Sequence, residues 1–336
     1  MYPAIELAAP SSAREDIEIR PAGADDVEGL AGLFAAVYAD SSHPCKDTSF
    51  VRSTIDSPSF LWRVAAAGAR IVACSAVVEH AWNRTCEIGR GVTHPDYRNE
   101  GLGASLCQQC VSAACLTPNC DLVHGYPRNA IIAKIAAQAH PSLCFTGHDG
   151  GINVAIGTRE YHGVIVGRNP HARFRHFAPD HTSAFVRQNI FTPLEMDPEP
   201  GPFPTQWTAG AGAAPVNGHA FSIDHDPSSR SGSLEVTGYC GVASTAREFA
   251  QELQRMLEQF PTALHTRLTV LADKIGLIHE LTLHDFESVA YLPAWYWRED
   301  GRFDCVLMAR RRFSEEPVAH GLQDVVNRFR AGLAPC

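Results

Sequence analysis

The sequence predicts an α/β (α+β) chain: a mixed, mostly antiparallel sheet flanked by helices, followed by a second, smaller half domain. Three observations carry that expectation. Short apolar or alternating runs bounded by Gly, Pro and Asn alternate with longer runs at helical spacing. A glycine-rich bend stands between a strand and a helix within residues 87–115. Residues 233–310 then run strand, helix, strand, helix, strand, strand.

With 336 residues, 45% of them hydrophobic, the chain can bury a sizeable core and is long enough for two domains. A formal charge of −9 argues against nucleic-acid and anionic-membrane partners. Met1 to Arg14 lacks the basic and apolar runs of a signal peptide, and no stretch approaches about 18 apolar residues, so a cytoplasmic protein is expected. The cysteine count is 11, an odd number, and reduced thiols are the expectation. Cys107 and Cys110 form a Cys-x-x-Cys near Cys115 and Cys120, a spacing seen in zinc sites. The first three fall inside an expected helix, where cysteine packs as a small hydrophobe, so no metal is expected.

In chain order, Ile17 to Arg20 alternates as a strand that Pro21 ends. Val27, Leu30, Ala31, Phe34, Val37 and Tyr38 recur at helical spacing behind Asp25 and Asp26. Ser41 to Cys45 reads as a loop and Thr48 to Ile55 as a second helix. Phe60 to Ala66 and Ile71 to Trp82 read as strands, and Asn83-Arg84 turns the chain into a third, Glu87 to Val92. After His94-Pro95-Asp96, Gly101 and Gly103 open a helix to about Leu116. Glycine there permits backbone angles closed to other residues and lets a ligand reach the bare main chain. N–H groups left without helical partners then face an anion such as phosphate. Asp121 to Gly125 is a further strand, Asn129 caps a helix over Ala130 to Ala139, and Leu143 to Val166 holds two strands broken by Gly147 to Gly151.

Arg98-Asn99-Glu100-Gly101-Leu102-Gly103 fits Arg/Gln-x-x-Gly-x-Gly/Ala, and Val92, Pro95, Tyr97 and Arg98 extend it as Val-x-x-Pro-x-Tyr-Arg. This resembles the pyrophosphate loop of the GNAT superfamily of acyltransferases, and the element order resembles the GNAT core. The resemblance implies a catalytic domain over residues 1–168 with acetyl-CoA, or another acyl-CoA, as co-substrate. Contacts to it are implied for Gly91, Val92, Arg98, Asn99, Gly101, Leu102, Gly103 and Ala104. Asn129 fits the family's pantetheine-holding asparagine equally with a plain helix cap.

Direct acyl transfer to an amine needs an oriented thioester, a proton acceptor and help for the departing thiolate. Main-chain N–H groups near Gly91 and Val92 are implied to hold the thioester oxygen. Glu87, eleven residues before Arg98, stands where one branch of the superfamily places a base. The family's tyrosine acid falls at Ala136, which puts that step in doubt; His124 and Tyr126 are substitutes. His43, Arg90 and Arg128 are candidates for holding a small amine or amino-acid-like acceptor. His43 and Cys45 also spell an acyl-enzyme pair, but direct transfer is favoured.

Residues 169–232 read as a linker or long loop, with Pro193 to Gly218 rich in proline, glycine and alanine. Residues 233–336 read as a degenerate GNAT-like copy, with Thr245 and Glu248 forming a capping box. Gly241 to Ser244 replaces the phosphate loop there, so one acyl-CoA site per chain is expected. The function expected is an acyl-CoA-dependent N-acyltransferase, and a homodimer is compatible with it. The alternatives are a coenzyme A sensor, or a GNAT-fold enzyme of altered chemistry such as an acyl-CoA hydrolase, a decarboxylase or a carrier-protein-dependent acyltransferase.

Overall fold

The computed structural model describes residues 16–39, 43–139, 143–155, 158–210, 220–225 and 232–334. Met1 to Arg14, Ser41-Ser42 and the stretch 211–218 of the expected loop lie outside them. The chain divides into two compact units, one drawn from residues 1–78 and 88–114, the other from 79–87 and 115–336.

In the first unit, β1 (Ile17–Pro21) leads to α1 (Val27–Val37) and α2 (Thr48–Ile55), then β2 (Phe60–Ala67), β3 (Arg70–His80), β4 (Thr85–Thr93) and α3 (Leu102–Leu116). The strands lie in the order β1-β2-β3-β4, with β1 and β3 antiparallel to β2. The ends of β3 and β4 nearest their shared turn belong to the second unit. The helical spacing read for α1 places Val27, Leu30, Ala31 and Phe34 in a core with Val51, Trp62 and Val64. Asp26 anchors the start of α1: its two oxygens accept from both terminal nitrogens of Arg20 at 2.6 and 2.8 Å. That bidentate bond holds the Asp26 carboxyl below its ordinary value.

The second unit continues with β5 (Leu122–Gly125), α4 (Ala130–Ala139), β6 (Cys144–His148), a small hairpin of β7 (Asn153–Ala155) and β8 (Thr158–Glu160), and β9 (Gly163–Arg168). After β10 (His176–Phe177) come α5 (Ala184–Val186), which runs into a π turn at Arg187–Phe191, and β11 (Phe221–His225). Then follow β12 (Ser233–Tyr239), α6 (Ala246–Leu257), β13 (His265–Leu271), α7 (Ile275–Thr282), β14 (Phe286–Arg298), β15 (Gly301–Arg311) and α8 (Gln323–Gly332). Its strands run β5-β9-β6-β14-β15-β13-β12-β11, with β10 beside β15. Among the described strand pairs of this unit, β12 with β13 and β10 with β15 are parallel.

The expected boundaries at residues 168 and 232 both fall inside this second unit. One reason is that β6 pairs with β14 across them, Gly147 opposite Ala290. The strands approach so closely that a Cβ on Gly147 would stand 2.3 Å from the Val289 carbonyl oxygen, so only glycine fits. The other reason is that the supposed linker contributes to the core. Val186, Ile190, Phe191, Leu194 and Met196 are buried with Phe249, Leu253 and Met308. Burying side chains of this size is worth roughly 1.5–3 kcal/mol each. The segment lacks regular periodicity because much of it is π turn and irregular chain, so its apolar residues do not fall at a helical or strand interval.

The unit contains an internal parallel. In β5-α4-β6…β9, the last strand pairs antiparallel with the first and the second, and so lies between them. In β13-α7-β14-β15, the last strand again pairs antiparallel with the first and the second.

The capping box read from sequence forms at α6. The Thr245 hydroxyl accepts from Glu248 N at 3.2 Å, and Glu248 Oε2 accepts from Thr245 N at 3.2 Å and Ser244 N at 2.8 Å. Thr245→Ala is expected to lower stability by about 1 kcal/mol, read as a shift in the urea midpoint at unchanged m-value.

Candidate active site

The bend after β4 is held from behind and open in front. His94 N donates to Val72 O at 2.8 Å, and the His94 Nε2 lies 2.8 Å from Arg70 Nη2. Tyr97, Leu102 and Leu106 pack against Ala65, Ala67, Val72 and Ala73. This gives the ring of Tyr97 and the apolar side chain of Leu102 a packing role behind the bend. Arg98, Asn99, Glu100, Gly101 and Gly103 are exposed and Ala104 is half-buried. Asn99 (φ 67) and Gly101 (φ 77) both take left-handed angles. These two residues turn the chain into the 15-residue α3, and the first N–H groups of a helix have no partner within it, the main-chain geometry that receives an anion.

Within β4, Arg90 is left-handed (φ 53), which interrupts the regular pleat just before Gly91 and Val92. Val92 is buried, whereas a Cβ on Gly91 would meet nothing within 4 Å. The Arg90 guanidinium lies 5.0 Å from the Phe60 ring centroid. His43 stacks on Phe34 and Tyr38, with centroids 4.7 and 5.1 Å apart, and its Nδ1 accepts from Cys45 N at 3.2 Å. Burial, then the charges of Arg90 and Lys46, hold His43 down to about 4, so it is neutral at pH 7. The Cys45 thiol is fully buried and pushed up to about 11 by that burial, which removes it as a nucleophile.

In the second unit the structure gathers Glu87, His124 and Tyr126, and adds His80. His80 ends β3, Glu87 lies early in β4 and His124 sits in β5. One donor atom from each of His80, Glu87 and His124 lies within 4.8 Å of the others. His80 Nε2 stands 3.6 Å from Glu87 Oε2, and the two imidazoles stack at 5.6 Å. His124 is 3% exposed, and neither ring nitrogen has a hydrogen-bond partner among the described residues. Burial holds it down to about 4, with Glu87 opposing and His80 reinforcing. Its ring meets Trp295 edge-on at 4.8 Å and Tyr126 at 5.9 Å. Burial raises the Tyr126 hydroxyl above its ordinary value, so it keeps its proton. His80 escaped the sequence reading, although a signal existed: it and Glu87 flank the short turn after β3, and residues flanking a hairpin turn become neighbours.

Two further candidate residues have partners within the chain. Arg128 donates from Nε and Nη2 to Glu160, the latter bond at 2.6 Å, and His320 also approaches Glu160 at 3.0 Å. Its fork is therefore occupied by an internal carboxylate instead of an acceptor's. Asn129 is a helix cap, its Oδ1 accepting from Ile132 N at 2.9 Å. Ala136, at the position of the family's tyrosine, is a buried helix residue.

No protein-family model matches the chain, and no curated protein matches it. Solved structures similar to about half of it are GNAT-family N-acetyltransferases. A ribosomal-protein-S5-alanine acetyltransferase from Vibrio fischeri is 14% identical over 49% of this chain and 100% of its own, with a TM-score of 0.40. An acetyltransferase of the GNAT family from Streptococcus pneumoniae is 15% identical over 45% and 98%, at 0.38. Arabidopsis thaliana NAA60, in complex with a bisubstrate analogue, is 12% identical over 45% and 97%, also at 0.38.

Proposed function

We propose that the chain is an acyl-CoA-dependent N-acyltransferase that transfers its acyl group, acetyl in the simplest case, directly to a small amine or amino-acid-like acceptor. The observation that carries this reading is the bend at residues 98–104: exposed main chain with two left-handed residues, opening α3 and braced by Tyr97 and Leu102. A pyrophosphate placed there meets backbone N–H groups and the positive end of the helix dipole.

In the reaction, the amine nitrogen attacks the thioester carbonyl carbon, the carbon–sulfur bond breaks, and the amine proton must leave. Glu87 is assigned as the proton acceptor. N–H groups at Gly91 and Val92 are assigned to the developing oxyanion, and the protonated Tyr126 to the departing thiolate. His43 and Arg90, which lie together in the first unit, are assigned to the acceptor. With Arg128 paired to Glu160, Arg90 is left as the carboxylate-recognising candidate.

We assign a single coenzyme A site because the start of α6 is already satisfied from within. The Glu248 carboxylate and the Tyr239 hydroxyl accept the N–H groups of Ser244, Thr245 and Ala243, the place an external phosphate would take. The internal parallel between β5-α4-β6…β9 and β13-α7-β14-β15 supports reading residues 233–336 as a degenerate copy.

The test is thiol release from acetyl-CoA and longer acyl-CoAs against a panel of amino acids and polyamines. Release that depends on added amine is expected. Release without amine would make the chain a hydrolase, and binding without release a sensor. Glu87→Gln is expected to lower kcat by about 10²–10⁴ with little change in the KM for acyl-CoA. An unchanged kcat removes Glu87 from the proton path.

A further inference from the structure

We infer that His80, Glu87 and His124 form a binding site for one divalent transition-metal ion of the zinc type. The sequence suggested no metal here, since the three residues come from three strands and match no ligand spacing. Tertiary structure creates the site, and it lies wholly within the second unit.

The donor geometry fits. Three donor atoms no more than 4.8 Å apart can be reached by an ion at their centre once each ligand closes by about 0.8 Å or less, given metal–nitrogen and metal–oxygen distances of about 2.0–2.2 Å. Glu87 and His80 are already 3.6 Å apart. Two imidazoles and one carboxylate form a set of intermediate softness, which suits zinc or cobalt over magnesium or calcium, and leave a coordination position open.

A second, independent observation points to a ligand. His124 is buried at 3% exposure with both nitrogens lacking partners among the described residues, and one of them points into the cluster. Buried polar groups are almost always bonded, so an orphaned imidazole facing a histidine and a carboxylate calls for a bonding partner that side chains do not supply.

The scaffold is fixed. Arg302 bonds both the turn residue Asn83, at its carbonyl, and Asp121, just ahead of β5, which ties the elements carrying the three ligands. Trp295 walls His124 on one side. Ligands held by such a network lose little freedom on binding.

The inference does not rest on acyl transfer. Where both hold, a Glu87 oxygen bound to the ion no longer accepts a proton, so the ion inhibits the transferase.

The experiment uses the full chain, stripped with a chelator and titrated with zinc chloride against a chromophoric competitor. One equivalent should bind with a micromolar or tighter Kd, and His80→Gln and Glu87→Gln should each weaken it at least about tenfold. Both side chains are partly exposed, so these variants should retain the far-UV circular dichroism of the parent. Cobalt(II) substituted at the site should show d–d bands that the two variants lose, without a thiolate charge-transfer band. Absence of uptake, equal affinity in both variants, or a thiolate band that persists in them would overturn the inference. The last result would place the metal on cysteines instead.

Discussion

Gly103→Trp is expected to lower coenzyme A affinity by at least about a hundredfold while leaving the chain folded. Gly103 is exposed at the second position of α3, and a Cβ there would meet only Thr93 Oγ1, at 3.9 Å. The indole therefore displaces no core atom and stands in the space over the bend. Losing two charge-assisted hydrogen bonds to the pyrophosphate, at about 1.5–3 kcal/mol each, corresponds to at least about a hundredfold in Kd. Gly103→Ala is the control and should bind nearly as the parent does, because the added methyl has room. Gly101→Ala should behave differently, since its φ of 77 makes a side chain strained whatever the space. Isothermal titration of the three variants with coenzyme A separates these cases. Unchanged affinity in Gly103→Trp would show that the pyrophosphate lies elsewhere.

Arg302→Ala is expected to destabilise the second unit by about 3–5 kcal/mol. Arg302 has no exposed surface and every nitrogen of its guanidinium has a partner. It donates to Asp121 at 2.9 Å, to the carbonyls of Asn83 at 3.0 Å and Trp295 at 2.7 Å, and from Nε to Ala294 O. Burial lowers it to about 10, with Asp121 opposing, so it remains charged at pH 7. Removing it leaves Asp121, 2% exposed, with Arg84 as its other partner at 3.0 Å, and strands three carbonyls. One of these carbonyls belongs to Ala294, a left-handed residue (φ 49) at a register shift in β14, whose N–H stays bonded to Asp304 at 2.7 Å. Urea denaturation should show the loss as a lower midpoint. Arg302→Lys should recover only part of it, because an ammonium keeps the charge but cannot reach four acceptors in one plane. A loss under 1 kcal/mol in Arg302→Ala would show that this network is not what holds the turn to β5.

Features encoded within a few residues of one another were legible from the residues alone. The bend at residues 98–104, the buried face of α1, the Thr245 and Glu248 cap and the run of elements from residue 233 to 310 all follow from local spacing and backbone preference. Which distant residues meet was set by the fold. It turned Arg128 toward Glu160, brought residues 186–196 into the core, and set His80 beside Glu87 and His124. Those outcomes depend on sheet register and on the competition of several partners for one charge. No interval along the chain records either, so the position of the bend was legible in advance while the partner of Arg128 and the place of His80 beside Glu87 and His124 were not.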